Sequence, residues 1–393
     1  MKTILHLGAG KLMVTTIRLL KNAGYEVAVV DADPHSPGFD FADYSSAIDI
    51  KDIDNIEIFA RAHNIDCIIA VNDAGVNAAS IVSDRMGLNY ISPEVAVKAT
   101  DKGFMRQAWE DADCPQPKFK IAYDESEIKE AISEIGYPLV LKPCSNWGSK
   151  GVSVINNDYE REFSIRYALT NNRNGRFIIE KKIEGTELTV EGLVLNGNVS
   201  ILATSDKMHQ SHPQFCVAMQ LNYPAEITET QNEQLTTVIQ NSIAALGLDN
   251  CAFHCECIHN AEGIYLVEMA GRPGGGHIFG SIVEAASGIS MPVALAQILC
   301  GDQPEIKAKF NRGATYRFFS PPQGTFKKIE NLDQARRLDG VLELGFDMPA
   351  GTIVNAIAGD ADRPGYMVTT ANDRNASIDL SNRVMETLVF KMD

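Results

Sequence analysis

The chain has 393 residues, 45% hydrophobic and 22% charged, with 35 Lys+Arg against 51 Asp+Glu and a formal net charge of −16. That length predicts two or three domains, and the composition excludes a largely disordered chain. The acidic balance excludes a nucleic-acid partner, whose phosphates need a basic surface, but not a nucleotide held by a few local groups.

The eight cysteines (Cys67, Cys114, Cys144, Cys216, Cys251, Cys255, Cys257 and Cys300) are scattered and outline no disulfide framework. A reducing compartment is expected, most simply the cytoplasm. The opening MKTILHLGAG turns glycine-rich too early for a signal peptide. No apolar run approaches the roughly 18 residues of a membrane span.

Thr3–Leu7 reads as a buried strand, Gly8-Ala9-Gly10 as a turn, Lys11 to Ala23 as a helix with Gly24 at its C-cap, and Tyr25–Val30 as a second strand ending at Asp31. This is a βαβ opening. Cys67–Val71 is a further strand, Gly75–Met86 a helix, and another helix starts near Glu94, so a parallel α/β unit is expected over residues 1–95. The GAG turn with Asp31 as a ribose acid invites an NAD-binding reading. Met13 stands where the dinucleotide fingerprint needs a small residue, which weakens it.

Beyond a helix-to-loop stretch at 101–117, a helix is expected at Glu125–Ile135 and a strand at Pro138–Pro143 carrying Lys142. The loop Cys144–Lys150 and the strand Gly151–Ile155 then read as a flap whose N–H groups suit phosphates, or as a mobile hairpin with one exposed lysine. Phe177–Ile183 bears Glu180 and Lys181, and Leu188–Leu193 follows Glu187. Val199–Thr204 leads to Asp206-Lys207 and a loop with His209 and His212, and Glu229–Leu246 is helical.

Two further strands, Cys251–Ile258 and Ile264–Glu268, form a hairpin if residues 260, 258 and 256 pair with 264, 266 and 268. Glu256 and Glu268 would then face each other at about 5 Å between Cβ atoms. Two carboxylates that close call for a hard cation between them, Mg²⁺ or Mn²⁺, unless both are simply solvated. Cys255 and Cys257 leave that face by strand alternation, which argues against zinc. Arg272 and Gly274–Gly276 precede an apolar run, Ile278–Leu299, read as one helix, so free N–H groups and a helix N-terminus await an anion. Strands at Thr315–Phe319, Gly340–Phe346 and Gly351–Ala358 and a helix at Leu380–Phe390 close the chain.

The order VLKP and glycine loop, EKKIEGTE, DK strand end, and FHCE with LVEMAGRPGGG resembles the ATP-grasp superfamily across nearly the whole chain. DRPGYMVTT in the tail resembles its amino-acid-ligase and purine-biosynthetic branches. The resemblance implies an α/β fold, α+β within the grasp subdomains. It would comprise an N-terminal Rossmann-like pre-grasp domain at 1–95, a small lobe at 96–185, and a large lobe with a C-terminal mixed-sheet domain at 186–393. It implies that Lys102 and Lys142 contact ATP phosphates, and that Glu180, Lys181 and Ile183 hold adenine, largely through backbone groups. By the same resemblance Glu187 takes the ribose hydroxyls, Lys207 lies near the phosphates, and Glu256 and Glu268 carry Mg²⁺. Arg272 would stabilise the transferring phosphoryl group, with His254, Gly274, Gly275, Gly276 and His277 toward the substrate. Ala270 stands where many members have a metal-ligating asparagine, which shifts the metal onto the two glutamates.

The implied activity is ATP-dependent ligation of a carboxylate to an amine, as in L-amino-acid ligases. A purine-pathway ligase acting on bicarbonate or formate and a ribonucleotide amine is the alternative within the superfamily. An NAD-dependent dehydrogenase, which leaves Glu256, Glu268 and Arg272 without a role, and a non-catalytic nucleotide binder are the alternatives outside it. Small-molecule substrates, no membrane partner and a homodimer are expected.

Overall fold

The computed structural model describes residues 1–145, 151–172, 175–210, 217–357 and 359–393. The βαβ opening forms as expected. Its sheet has the order Tyr44–Ala47, Glu26–Asp31, Thr3–Leu7, Cys67–Ala70, all parallel. Every residue of Thr3–Leu7 is buried, as a parallel strand covered on both faces must be. The GAG turn is closed by its own chain: the Asp31 carboxylate accepts from the Ala9 N–H at 2.8 Å and from the Asp33 N–H at 3.0 Å.

Two helices, Pro93–Thr100 and Lys102–Asp111, lead out of this unit, the second capped by Asp101, whose carboxylate accepts from the Gly103 and Phe104 N–H groups. They reach a four-stranded antiparallel sheet ordered Phe119–Ala122, Phe177–Lys181, Leu139–Pro143, Ser153–Ile155. The helices Glu125–Ile135 and Asp158–Thr170 pack on it around Ile132, Leu141, Ile165 and Ile179.

The largest sheet has eight strands: Gly263–Ala270, Cys251–Asn260, Thr186–Leu195, Asn198–His209, Ala218–Tyr223, Gly313–Phe318, Gly365–Ala371 and Val341–Phe346, in that spatial order. Each neighbouring pair is antiparallel, so the C-terminal strands extend the central sheet where a mixed sheet is expected. The helix Glu229–Leu246 covers one face, with Leu235, Ile239 and Leu246 buried.

The apolar run Ile278–Leu299 is not one helix. A π-helical turn, Ile278–Ile282, continues into Val283–Ser287 and ends at Gly288, whose φ of 77° is left-handed. The chain then bends by 106° into Met291–Leu299. Hydrophobicity alone hid the break because both halves are buried; Gly288 and Pro292 are its local cause. No single helix among the described residues is long and apolar enough to cross a membrane. The closing helix runs Arg374–Thr387, earlier than expected because Asp373 caps it, and Val389–Met392 is a strand. Of Gly351–Ala358, Ile353–Val354 is a strand, and Ala358 lies outside the described residues.

Candidate active site

Four adjacent strands turn alternate residues onto one face of the large sheet. Glu187, Thr189 and Glu191 lie on Thr186–Leu195, and its neighbour sets Glu256 opposite Thr189 and His254 opposite Glu191. On the other side Ser205 pairs with Thr189, and Lys207 stands two residues further on. The hairpin sets Glu268 opposite Glu256. That pairing is the expected one, but the register near the turn is not. Asn260 pairs with Gly263 and Cys257 with Leu266, one residue off, and Val267 bulges so that Glu256 and Glu268 meet. Cys255 and Cys257 are fully buried on the opposite face, filling the core.

Glu187, Lys207, His254, Glu256 and Glu268 of this floor line a cavity of about 670 Å³ that also takes in Lys142, Val154, Ile183 and Arg272. The volume suits a nucleotide. Its charges are paired. Lys207 donates to Glu187 at 2.5 Å and also to Glu256. Lys102 donates to Glu268 at 3.1 Å. His209 Nε2 lies 3.0 Å from Glu187. Burial opposes the charge on Glu256, yet Lys207 and His254 hold its carboxyl well below the usual carboxylate range. Burial likewise works against Lys207, but the two glutamates raise its pKa. Both glutamates of the hairpin pair thus have a lysine partner, and Glu256 is firmly ionised.

Glu180 lies on the expected strand and borders the cavity. Its side chain is buried, accepting from Lys142 at 2.5 Å and Arg106 at 2.7 Å. Despite burial, these two cations depress its pKa to about 2. The carboxylate therefore holds Lys142 under the cavity, and its backbone is paired to strands on both sides. The Lys181 ammonium turns to the Tyr137 carbonyl at 2.7 Å. Ile183 lies beyond the strand end and lines the cavity.

At the other end, Arg272 Nε donates to Asp73 at 2.6 Å, and its Nη1 to the Pro273 carbonyl at 3.0 Å. His254 Nδ1 lies 2.5 Å from Glu191, and the other Glu191 oxygen accepts from the Gly274 N–H at 3.1 Å. Burial alone would discharge His254, but Glu191 and Glu256 raise its pKa to about 9. Gly274–Gly276 and His277 do not line the cavity; the triglycine is tied to it through Glu191. Gly276 has φ of 64°, and a Cβ there would stand 2.6 Å from the Tyr316 hydroxyl.

Sequence reasoning missed Arg106, Asp73 and Glu191. Arg106 follows Lys102 by one helical turn, and Glu191 continues the alternation of Glu187 and Thr189, so both had a periodic signal. Asp73 had none. Asn146–Lys150 of the expected flap and His212 lie outside the described residues.

Among the described residues no three His, Cys, Asp or Glu side chains form a metal cage. Glu256 and Glu268 nevertheless fit Mg²⁺, which takes one or two carboxylates and completes its shell with phosphates and water.

Comparison with known proteins bears on the fold and on two segments of the chain. Residues 135–280 match the ATP-grasp domain model, and 317–393 match the L-amino acid ligase C-terminal domain 2 model. The L-amino acid ligase structure from Bacillus licheniformis superposes with a TM-score of 0.86 at 17% identity, over 100% of this chain and 99% of that one. An uncharacterized protein of Sinorhizobium fredii is 25% identical over 75% of this chain and 62% of its own length. A formate-dependent phosphoribosylglycinamide formyltransferase of Burkholderia pseudomallei is 30% identical over 48% of this chain and 49% of its own. The chain thus spans about half to three-fifths of the length of these curated relatives. Residues 135–280 are thus an ATP-grasp domain, and 317–393 are similar to the C-terminal domain of L-amino acid ligases.

Proposed function

We propose that this chain is an ATP-dependent ligase that joins a carboxylate to an amine, most simply two amino acids, through an acyl phosphate, with release of ADP and phosphate. The observation that carries this reading is the cross-strand pair Glu256 and Glu268, flanked by Lys207 and Lys102 in one nucleotide-sized cavity that ends at Arg272. The match of residues 317–393 to an L-amino acid ligase domain supports amino acids as substrates.

In this reading the chain works by positioning and charge neutralisation. Lys142, fixed by Glu180, and Lys102 bind phosphates. The segment from Glu180 to Ile183 borders adenine, with Ile183 against the base, and Glu187 accepts from the ribose while Lys207 swings from it toward the phosphates. Glu256 and Glu268 would hold Mg²⁺ or Mn²⁺, which supplies charge neutralisation at the phosphates when bound. Arg272, anchored by Asp73, stabilises the transferring phosphoryl group and the later oxyanion. The Gly274 N–H is taken by Glu191, so the substrate carboxylate would be met by the turn behind it. Residues 1–95, 96–185 and 186–393 are its working units, and the buried free thiols support a reducing, cytoplasmic setting.

The formyltransferase relative favours a second reading, in which formate or bicarbonate and a ribonucleotide amine are joined. ADP release measured across pairs of L-amino acids, with aminoimidazole ribonucleotide plus bicarbonate or formate alongside, separates the two. Amino-acid-dependent release supports the first reading, and release with the ribonucleotide alone refutes it.

A further inference from the structure

One carboxylate of the large sheet holds two distant segments at once. Glu191 lies on Thr186–Leu195 and is fully buried. One of its oxygens lies 2.5 Å from His254 Nδ1, and the other accepts from the Gly274 N–H at 3.1 Å. A carboxylate offers only acceptors, so Nδ1 carries a ring proton, and Nε2 faces Glu256 at 3.6 Å. Among the described residues His254 is the only ion-pair partner of Glu191.

The contact with the turn is as close as that with the histidine. A Cβ at Gly274 would stand 2.7 and 2.9 Å from the two Glu191 oxygens. The turn after Arg272 therefore rests directly on this carboxylate, and a side chain at 274 would push it aside. Arg272 is joined to the same turn, its Nη1 donating to the Pro273 carbonyl at 3.0 Å. Glu256 and Arg272 thus reach the cavity from separate segments, and Glu191 holds the support of each. A fully buried carboxylate is a poor way to stabilise a core, since well-packed apolar groups of similar volume often do as well or better. What it supplies that an apolar side chain does not is direction: two acceptors aimed at two segments.

We propose that Glu191 is a positioning residue that sets the metal carboxylate Glu256, through His254, in register with the turn that carries Arg272. This rests on the assignment of Glu256 to the metal in the ligase reading above. Glu191 does not line the cavity, so it acts only through His254 and Gly274. Removing an outer group that orients a metal-ligating side chain weakens metal binding about tenfold to a hundredfold.

The test is Mn²⁺ binding to the full chain saturated with ADP, read from the electron paramagnetic resonance signal of free Mn²⁺. Wild type, Glu191→Gln and Gly274→Ala are compared. Glu191→Gln keeps the shape but replaces one of the two acceptors with a donor. Gly274→Ala changes no charge and does not line the cavity, yet its methyl displaces the Glu191 carboxylate. Both are expected to bind Mn²⁺ about tenfold to a hundredfold more weakly than wild type, with ADP affinity in EDTA unchanged. Unchanged Mn²⁺ affinity in either variant, or ADP affinity falling as far as that for Mn²⁺, overturns the proposal. If circular dichroism shows Gly274→Ala unfolded, the nearly isosteric Glu191→Gln decides alone. Glu256→Gln run in parallel separates the two claims. Wild-type Mn²⁺ affinity in Glu256→Gln refutes the metal assignment and the proposal with it, whereas loss there without loss in Glu191→Gln refutes the positioning role only.

Discussion

Removing the Lys207 ammonium probes the site's electrostatics most sharply. Lys207 is 10% exposed in its side chain and lies between Glu187 and Glu256, which are 21% and 28% exposed. In Lys207→Met the two carboxylates lose their shared cation and face each other across an apolar side chain. Removing one partner of a buried ion pair costs about 3–5 kcal/mol. With about 2.1 cal/mol/K of unfolding entropy per residue over 393 residues, that corresponds to a Tm lowered by about 4–6 °C. A second consequence follows from the same geometry. In wild type the lysines already neutralise Glu256 and Glu268, so Mg²⁺ without nucleotide has little to gain. In the variant Glu256 has lost its cation, so millimolar Mg²⁺ alone raises the Tm of Lys207→Met and leaves wild type unmoved. Scanning calorimetry with and without Mg²⁺ checks both. An unchanged Tm in the variant, or equal stabilisation of wild type by free Mg²⁺, would refute the reasoning.

Glu268→Ala is expected to abolish ATP turnover while circular dichroism stays native; full activity would end the metal assignment. Arg272→Ala should lower kcat about 10²- to 10³-fold with ADP affinity kept, since the guanidinium acts where charge develops; lost ADP affinity in a calorimetric titration would reassign it to nucleotide binding. Glu180 has a depressed pKa, so its pairing with Lys142 and Arg106 contributes fully above pH 4.5 and is lost as pH falls toward about 2. Urea titrations over that window should show Glu180→Gln less stable than wild type at neutral pH, with the difference closing in acid; a constant difference would count against it. Gly276→Ala combines a left-handed φ with contact on the Tyr316 hydroxyl, and should cost about 1–3 kcal/mol in the urea midpoint.

Local periodicity carried much of the fold. The helices Glu125–Ile135 and Glu229–Leu246 and the strand Thr3–Leu7 fall where caps and apolar spacing put them. Gly288 broke a run whose hydrophobicity was continuous because both sides are buried, so burial masked the turn. In the hairpin, the Glu256–Glu268 pair was legible as two carboxylates on alternating strands. The one-residue error near the turn came from assuming a longer loop, and the bulge at Val267 cancelled it. Partners brought by distant segments were not legible. Asp73 reaches Arg272 across 199 residues of chain and Glu343 reaches His277 across 66, and no local pattern encodes either meeting. The partners of the Glu180 side chain were hidden for a related reason: strand alternation gives the face of a residue but not the cations that bury it.

The central claim is that the carboxylate substrate attacks the γ-phosphate of ATP. It is tested most directly with a carboxylate substrate labelled with ¹⁸O, taken from the pair that supports ADP release, by mass analysis of the released phosphate. Acyl-phosphate chemistry predicts one ¹⁸O transferred from substrate to inorganic phosphate per amide formed, with ADP as the nucleotide product. Unlabelled phosphate, or AMP and pyrophosphate in place of ADP, would contradict it.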